Sequence, residues 1–249
     1  MEWRDEGIII GTRKLGETSV IVELMTRAHG RHYGLVRGGR SRRHAATLQP
    51  GNSVDAIWRA RLDEQLGVYV IEPGTARAGR IMASVPALLA ITWLGALLRC
   101  LPEREPHGGL YEALLLVADH LDAPEVAPAL MVRFELEVLA GLGFSLDLSQ
   151  CAATGVRDDL PWVSPKSGRA VSRAAGEPYR DRLLRLPDFL KGAGERATPD
   201  SADVSAGLTL TGHFLARDIF EPRGVGGALM ARAAYVAEIS KTGALSAAR

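Results

Sequence analysis

Residues 19–43 read SVIVELMTRAHGRHYGLVRGGRSRR, and this stretch decides the fold. Val20, Val22 and Leu24 alternate with their neighbours between Ser19 and Met25, the period of a half-buried strand. His29-Gly30 marks a tight turn, Arg31 to Val36 resumes the strand, and the chain then enters a glycine-flanked arginine loop ending at Arg42-Arg43. Upstream, Gly7 to Leu15 carries an apolar Ile8-Ile9-Ile10 centre. Downstream, Pro50-Gly51-Asn52 punctuates the chain before Val54 to Arg59 and Gly67 to Ile71 return to a β-rich pattern. Five strands in about eighty residues predict a small closed barrel, an OB-fold, whose faces and connecting loops suit nucleic-acid strands.

From residue 81 the period becomes helical. Val85, Leu88, Leu89, Trp93, Leu97 and Leu101 fall at steps of three and four, as do Leu110, Leu114, Val117 and Leu121, and then Leu130, Phe134, Val138 and Leu142. Gly108-Gly109, Pro124 and Gly143 separate these segments. Residues 145–185 lose periodicity and fill with Gly, Pro, Ser and charges, which marks an insertion. Gly192 to Ala202 reads as a flexible loop. Two more helices follow, Ser201 to Phe220 with Asp200 or Ser201 as N-cap, and Gly227 to Ser240. The expected class is α+β: a barrel domain over residues 1–80, then a mostly helical domain over 81–249 with an irregular insertion.

The net charge of the whole chain is only +1, yet Arg27 to Arg61 holds eight arginines (27, 31, 37, 40, 42, 43, 59 and 61) against one carboxylate, Asp55. A solvated face normally mixes signs, whereas this run has almost no acid to offset its repulsion, so it calls for a polyanion. Guanidinium forks match phosphate oxygens, and Gly38 and Gly39 let backbone N–H groups approach them, although no Gly-Lys-Ser/Thr follows to make a P-loop. Arg31, Arg37, Arg40, Arg42 and Arg43 are the expected phosphate contacts, with Arg13, Lys14, Arg59 and Arg61 as a second tier. Tyr33, Trp58 and Tyr69 lie in expected strands, where they can stack on bases or fill the barrel.

Catalysis finds little support. The chain has no Gly-x-Ser-x-Gly elbow, His-Glu-x-x-His, Walker motif or strand-linked Gly-x-Gly-x-x-Gly. Asp158-Asp159 and Glu135/Glu137 read as surface charge, and His29 with His32 lacks the second ligand pair that zinc needs. Neither an enzyme nor a cofactor is expected. Two cysteines fifty residues apart and a charged start, MEWRDEG, point to a reducing cytoplasm. Ile81 to Leu98 is eighteen residues without a charge, but Ser84, Pro86 and Thr92 interrupt it, so a buried helix is expected and not a membrane span.

Leu15-Gly16-Glu17-Thr18-Ser19, Leu24-Met25-Thr26, Gly30, Val36-Arg37-Gly38-Gly39-Arg40-Ser41, Leu48-Gln49-Pro50-Gly51-Asn52, Leu66-Gly67 and Glu72 together resemble the bacterial recombination mediator family RecO. The order of barrel, helical region and Cys-started insertion extends the similarity over nearly the whole chain. The resemblance implies a non-enzymatic role in recombinational DNA repair: binding single- and double-stranded DNA, annealing complementary strands, contacting single-stranded DNA-binding protein (SSB), and working with RecR to load RecA, in the cytoplasm and at the nucleoid. For the acidic, apolar-ended tail of SSB, Arg133, Arg217, Arg223 and Arg232 are possible rims of a pocket in the helical domain. An RNA-binding OB module or a scaffold that binds only proteins remains open on the residues alone.

The insertion departs from the family. Many members hold zinc there with two Cys-x-x-Cys pairs. Here Cys151 matches the first ligand, but Thr154, Ser172 and Ala175 stand at the others. The expectation is a zinc-ribbon-like insertion without metal, held by packing of Leu148, Leu160, Trp162 and Val171.

Overall fold

The computed structural model describes residues 1–191 and 199–241; residues 192–198 of the expected Gly192 to Ala202 loop lie outside them. Contacts divide the chain into two compact units, Met1–Asp122 and Ala123–Arg249.

The first unit is built on a closed five-stranded barrel, as the alternation predicts. Its strands are β1 (Glu2–Leu15), β2 (Ser19–Thr26), β3 (Gly30–Val36), β4 (Ser53–Arg59) and β5 (Val68–Pro73), in the order β1-β2-β3-β5-β4. β1 makes closure possible because it is long enough to pair twice. Glu2 to Ile8 run antiparallel to β4, and Gly7 to Leu15 run antiparallel to β2. A register shift between Ile9 and Gly11 bends the strand between its two partners. Three consecutive isoleucines are all buried because both faces of β1 are covered here: Ile9 belongs to the barrel core, while Ile8 and Ile10 are sealed outside that cluster. β3 and β5 close the other side in parallel at Leu35 and Val68.

Val22, Leu24, Val54, Ala56, Trp58 and Tyr69 fill the barrel. Trp58 and Tyr69 are therefore core residues and not base-stacking platforms: Trp58 is fully buried and its Nε1 donates to the Leu66 carbonyl at 3.0 Å. After the barrel come α2 (Ala78–Met82), α3 (Val85–Leu98) and α4 (Gly108–Asp119). α3 packs on β1 so tightly that a Cβ at Gly95 would lie 2.7 Å from the Ile10 carbonyl oxygen. The charge-free Ile81 to Leu98 stretch is thus the end of α2, a break at Ala83-Ser84 and then α3, which covers the barrel. Among the described residues no helix is long and apolar enough to cross a membrane.

In the second unit α5 (Ala127–Gly141) packs on α7 (Ser201–Phe214), which Asp200 caps by accepting from the Asp203 N–H at 2.7 Å. One π-helical turn, Leu215–Phe220, follows α7, and α8 (Gly227–Lys241) comes next. Glu135 is fully buried and takes two hydrogen bonds from Arg232, at 2.8 and 2.9 Å, tying α8 to α5. The insertion is more regular than its composition suggests. It forms a small sheet of β6 (Trp162–Val163), β7 (Ala170–Val171) and β8 (Leu184–Arg185) in the order β7-β6-β8, with a short helix α6 (Arg173–Gly176) between β7 and β8. Leu160 is buried as expected, but Leu148, Trp162 and Val171 are only half-buried, and the sealed positions are Val163, Ala170 and Cys151.

Cys151 stands where a zinc ligand would stand, and its neighbours do not complete a metal site. Its sulfur accepts the Ser172 N–H at 3.3 Å, and Ala175 offers no donor atom at all. Burial pushes the Cys151 thiol up, but hydrogen bonds from Ser172 and Thr154 and from the Ser172 and Ala153 backbone outweigh it and bring it down to about 6. Among the described residues no three His, Cys, Asp or Glu side chains gather as a ligand set, whereas structural zinc takes four. Elemental analysis of the purified protein is expected to return no stoichiometric zinc, and a chelator to leave its melting temperature unchanged; one zinc per chain would overturn this.

At one end of the barrel His32 is 2% exposed, with its ring edge-on to Trp3 and Trp58 at centroid distances of 5.0 and 4.9 Å. Burial dominates over the hydrogen bond to the Tyr33 carbonyl and brings the imidazole down to about 4. The unfolded chain takes up this proton near pH ~6.5 and the folded one does not until about pH 4. Stability from this group is therefore fully present above the upper value and is lost as the pH falls through the window. Urea midpoints measured across it should decline less steeply for His32→Gln than for the natural chain; equal slopes would remove His32 as a cause.

Candidate nucleic-acid interface

β3 ends at Val36, and the next four residues turn sharply because Gly38 adopts φ +65. The Ser41 N–H donates to the Gly38 carbonyl at 3.0 Å, and one helical turn, α1 (Arg42–Ala45), follows. Gly39 is buried against Leu48 and Val20, each 3.1 Å from where its Cβ would stand, so this loop lies flat on the barrel. Arg40 fixes its position. Its N–H donates to the Thr18 carbonyl at 3.0 Å and its guanidinium to the Gly16 carbonyl at 3.1 Å, which ties the loop to the β1–β2 turn. Lys14, Arg40, Leu48 and Gln49 thereby line one hollow of about 420 Å³.

The eight arginines separate into two kinds. Arg37, Arg40, Arg42, Arg43 and Arg61 are exposed, and among the described residues none of them meets a carboxylate. The same holds for Arg13 and Lys14 on β1. The other three are paired. Arg27 reaches Glu6 and Glu112, and Arg59 binds Glu2 through two hydrogen bonds at 2.8 and 3.0 Å. Arg31 is not a surface residue: it is 7% exposed, and its guanidinium donates to Glu23, to Tyr33 and to the Leu101 carbonyl, with Glu103 at 3.7 Å.

Arg31 corrects the sequence reading, and the reason is physical. It does sit on the outer face of β3, but the segment after α3 lies over that face, with the Arg104 N–H donating to the Arg31 carbonyl at 2.8 Å. Glu23, 3% exposed, is met by two guanidinium groups, Arg31 at 3.0 Å and Arg99 at 2.8 Å, as a buried acidic side chain requires a partner. Neither Glu23 nor Arg99 stood out in the sequence. Only the odd placement of a glutamate between Val22 and Leu24 could have drawn notice.

What remains is a cationic strip of Lys14, Arg37, Arg40, Arg42 and Arg43 on a backbone pinned by glycines and main-chain hydrogen bonds. Long exposed cations without partners bind phosphate by charge and release its counterions, with no means of reading bases. In the second unit the expected pocket rims are engaged within the fold. Arg133 donates to the Phe189 carbonyl at 2.9 Å, Arg217 binds Asp218, and Arg232 binds Glu135.

Arg31→Ala should cost about 3–5 kcal/mol of unfolding free energy, because it leaves Glu23 short of a cation in a buried site. Arg42→Ala should change stability by less than about 0.5 kcal/mol. Denaturant titrations of the two variants decide the assignment, and equal costs would mean that Arg31 is not structural.

Comparison with known proteins agrees with this architecture. Residues 1–71 match the family model described as Recombination protein O N terminal, and residues 84–225 match Recombination protein O C terminal. A protein from Methylocella silvestris named DNA repair protein RecO is 60% identical over 97% of both chains. Proteins of the same name from Methylorubrum extorquens and Mesorhizobium japonicum are 61% and 60% identical over 90% of this chain and 92% and 88% of their own. With both family models matched in order and this identity carried over nearly its full length, the chain belongs to the Recombination protein O (RecO) family.

Proposed function

We propose that this protein is a DNA-binding mediator of recombinational repair: it binds single- and double-stranded DNA, anneals complementary strands and helps load RecA onto SSB-coated single strands together with RecR. The observation that carries the DNA part is the strip of exposed arginines between β3 and β4, rigidly seated and without carboxylate partners among the described residues. Such a strip neutralises phosphates on any sequence. Two strands brought to it repel one another less, and the absence of base contacts along the strip leaves the bases free to pair. This is work without bond making, so no catalytic group is assigned.

The family membership and the relatives' printed names support the repair role. For the protein partners the support is chemical. A groove of about 490 Å³ between α7 and α8, lined by Leu208, Leu229, Ala233 and Val236, suits the apolar end of an acidic tail such as that of SSB. Its nearest cation, Arg232, already serves Glu135, so apolar contact would supply most of the affinity there.

Replacing Arg40, Arg42 and Arg43 together with Ala should lower the melting temperature only slightly, through the lost bond from Arg40 to the Gly16 carbonyl. It should weaken binding to all oligonucleotides alike and reduce the slope of log affinity against log salt by about 2, roughly 0.7 for each lost contact to a single strand. Fluorescence anisotropy across a salt series, with an annealing assay on the same preparations, reads both effects. A slope equal to that of the natural chain would take the loop out of the site.

A further inference from the structure

A second hollow, of about 690 Å³, lies over the outer faces of β1, β2 and β3 and differs from the arginine strip in its chemistry. Alternation along β1 sends Lys14 to the strip and Arg13 to this hollow, with Thr12 bordering both. The floor is Gly11, where a Cβ would collide with the Arg99 guanidinium, together with the half-buried ring of Tyr33. The far wall is the β4–β5 loop, which Arg104 holds by donating to the Asp63 and Gln65 carbonyls.

The lining cations are Arg13, Arg99 and Arg104, and the lining carboxylates are Glu23, Glu64 and Glu103, so three charges face three. A phosphate gains little from such a balanced site, whereas a neutral planar ring meets an aromatic surface and oriented polar groups. Glu23 and Glu103 are committed to Arg31 and Arg99. Glu64 is exposed and has no ion-pair partner among the described residues. An ionised carboxylate only accepts hydrogen bonds, so it attracts an amino group and repels a keto oxygen in the same place.

Resting on the nucleic-acid reading above, we infer that this hollow takes an unpaired nucleobase bearing an exocyclic amino group, lying against Tyr33 and donating to Glu64, while the phosphates of the same strand lie on the arginine strip. The strip then supplies affinity without sequence, and the hollow adds a preference for single strands and for amino-bearing bases.

The test measures the affinity of the full chain for oligo(dC), oligo(dT), an abasic oligonucleotide of equal length and a hairpin duplex, at one salt concentration and neutral pH. The natural chain should bind oligo(dC) about five- to tenfold tighter than oligo(dT), the net worth of one ordinary hydrogen bond at a solvent-exposed carboxylate, and the abasic strand weakest of the single strands. Glu64→Gln, an exposed change that does not endanger folding, should erase the difference between dC and dT. Tyr33→Ala should erase the difference between dT and the abasic strand while leaving duplex binding and the salt slope intact, and Tyr33→Phe should behave like the natural chain. Equal affinity for all three single strands, with a steep salt slope, would overturn the base site and leave the phosphate strip standing. No binding to any DNA would overturn both.

Discussion

Asn52 is the polar contact on which the working half of the molecule depends. Its side-chain oxygen accepts the N–H groups of Arg77 and Ala78 at 2.8 and 2.9 Å, and its amide donates to the carbonyls of Ala46 and Thr47 at 2.9 and 3.1 Å. One 3%-exposed side chain thus joins the end of the arginine loop to the start of the helices that cover the barrel. A buried polar group left without its partner costs about 1–3 kcal/mol, so neither segment can drift without breaking a satisfied set. Arg77 carries the connection onward to Asp119 on α4 at 2.6 Å. The consequence is a set of mutually repelling arginines on a backbone whose own anchors are nearly all uncharged, so their repulsion cannot pull the loop away from its supports.

Arginine is used in two opposed ways. Where a guanidinium is taken out of water it meets a carboxylate: Arg31 at Glu23, Arg77 at Asp119, Arg232 at Glu135, and the exposed Arg99 reaches in to the buried Glu23 as well. These pairs remove charge from the surface and fix packing geometry, because an unmatched ion inside is far more costly than a matched one. Where the guanidinium stays in water, on the strip, it meets no carboxylate among the described residues. The near-zero net charge of the chain is the sum of a basic first eighty residues, with 13 Lys and Arg against 9 Asp and Glu, and an acidic remainder, with 17 against 20. Overall composition conceals a field of that kind, and local charge counting exposes it.

Much of this was legible in the sequence. Apolar alternation located the strands, the change to a helical period located the helices, and Asp200 announced the start of α7. The limits appeared wherever a side chain's direction depends on residues distant in sequence. Arg31 belongs to the same run as Arg37 and Arg40, and nothing within that run says that a segment seventy positions later will cover it. Trp58 and Tyr69 are inside because barrel closure points them inward, a parity set by the pairing of β1 with β4 and of β4 with β5. The bend between Ile9 and Gly11 resets that parity within one strand, so which of Arg13 and Lys14 meets which hollow could not be counted from the Ile8-Ile9-Ile10 run. In the insertion, the loss of periodicity hid a sheet whose strands are two residues each, too short to show any period at all.

A surface that anneals strands faces conflicting demands. It must hold phosphates strongly enough to cancel the repulsion of a second backbone, yet leave the bases able to exchange partners. A continuous aromatic groove would meet the first demand and fail the second, since every stacked base must be pulled free before it pairs. Here the barrel withdraws Trp58 and Tyr69 into its core and leaves Tyr33 half-buried on the outer face. Apart from Arg40, which is held on the Gly16 carbonyl, the strip's cations sit at the ends of long exposed side chains that can follow a moving backbone. Under the proposed function, rigid main chain beneath and mobile charge above would keep strands close, with any preference among bases confined to the hollow beside the strip.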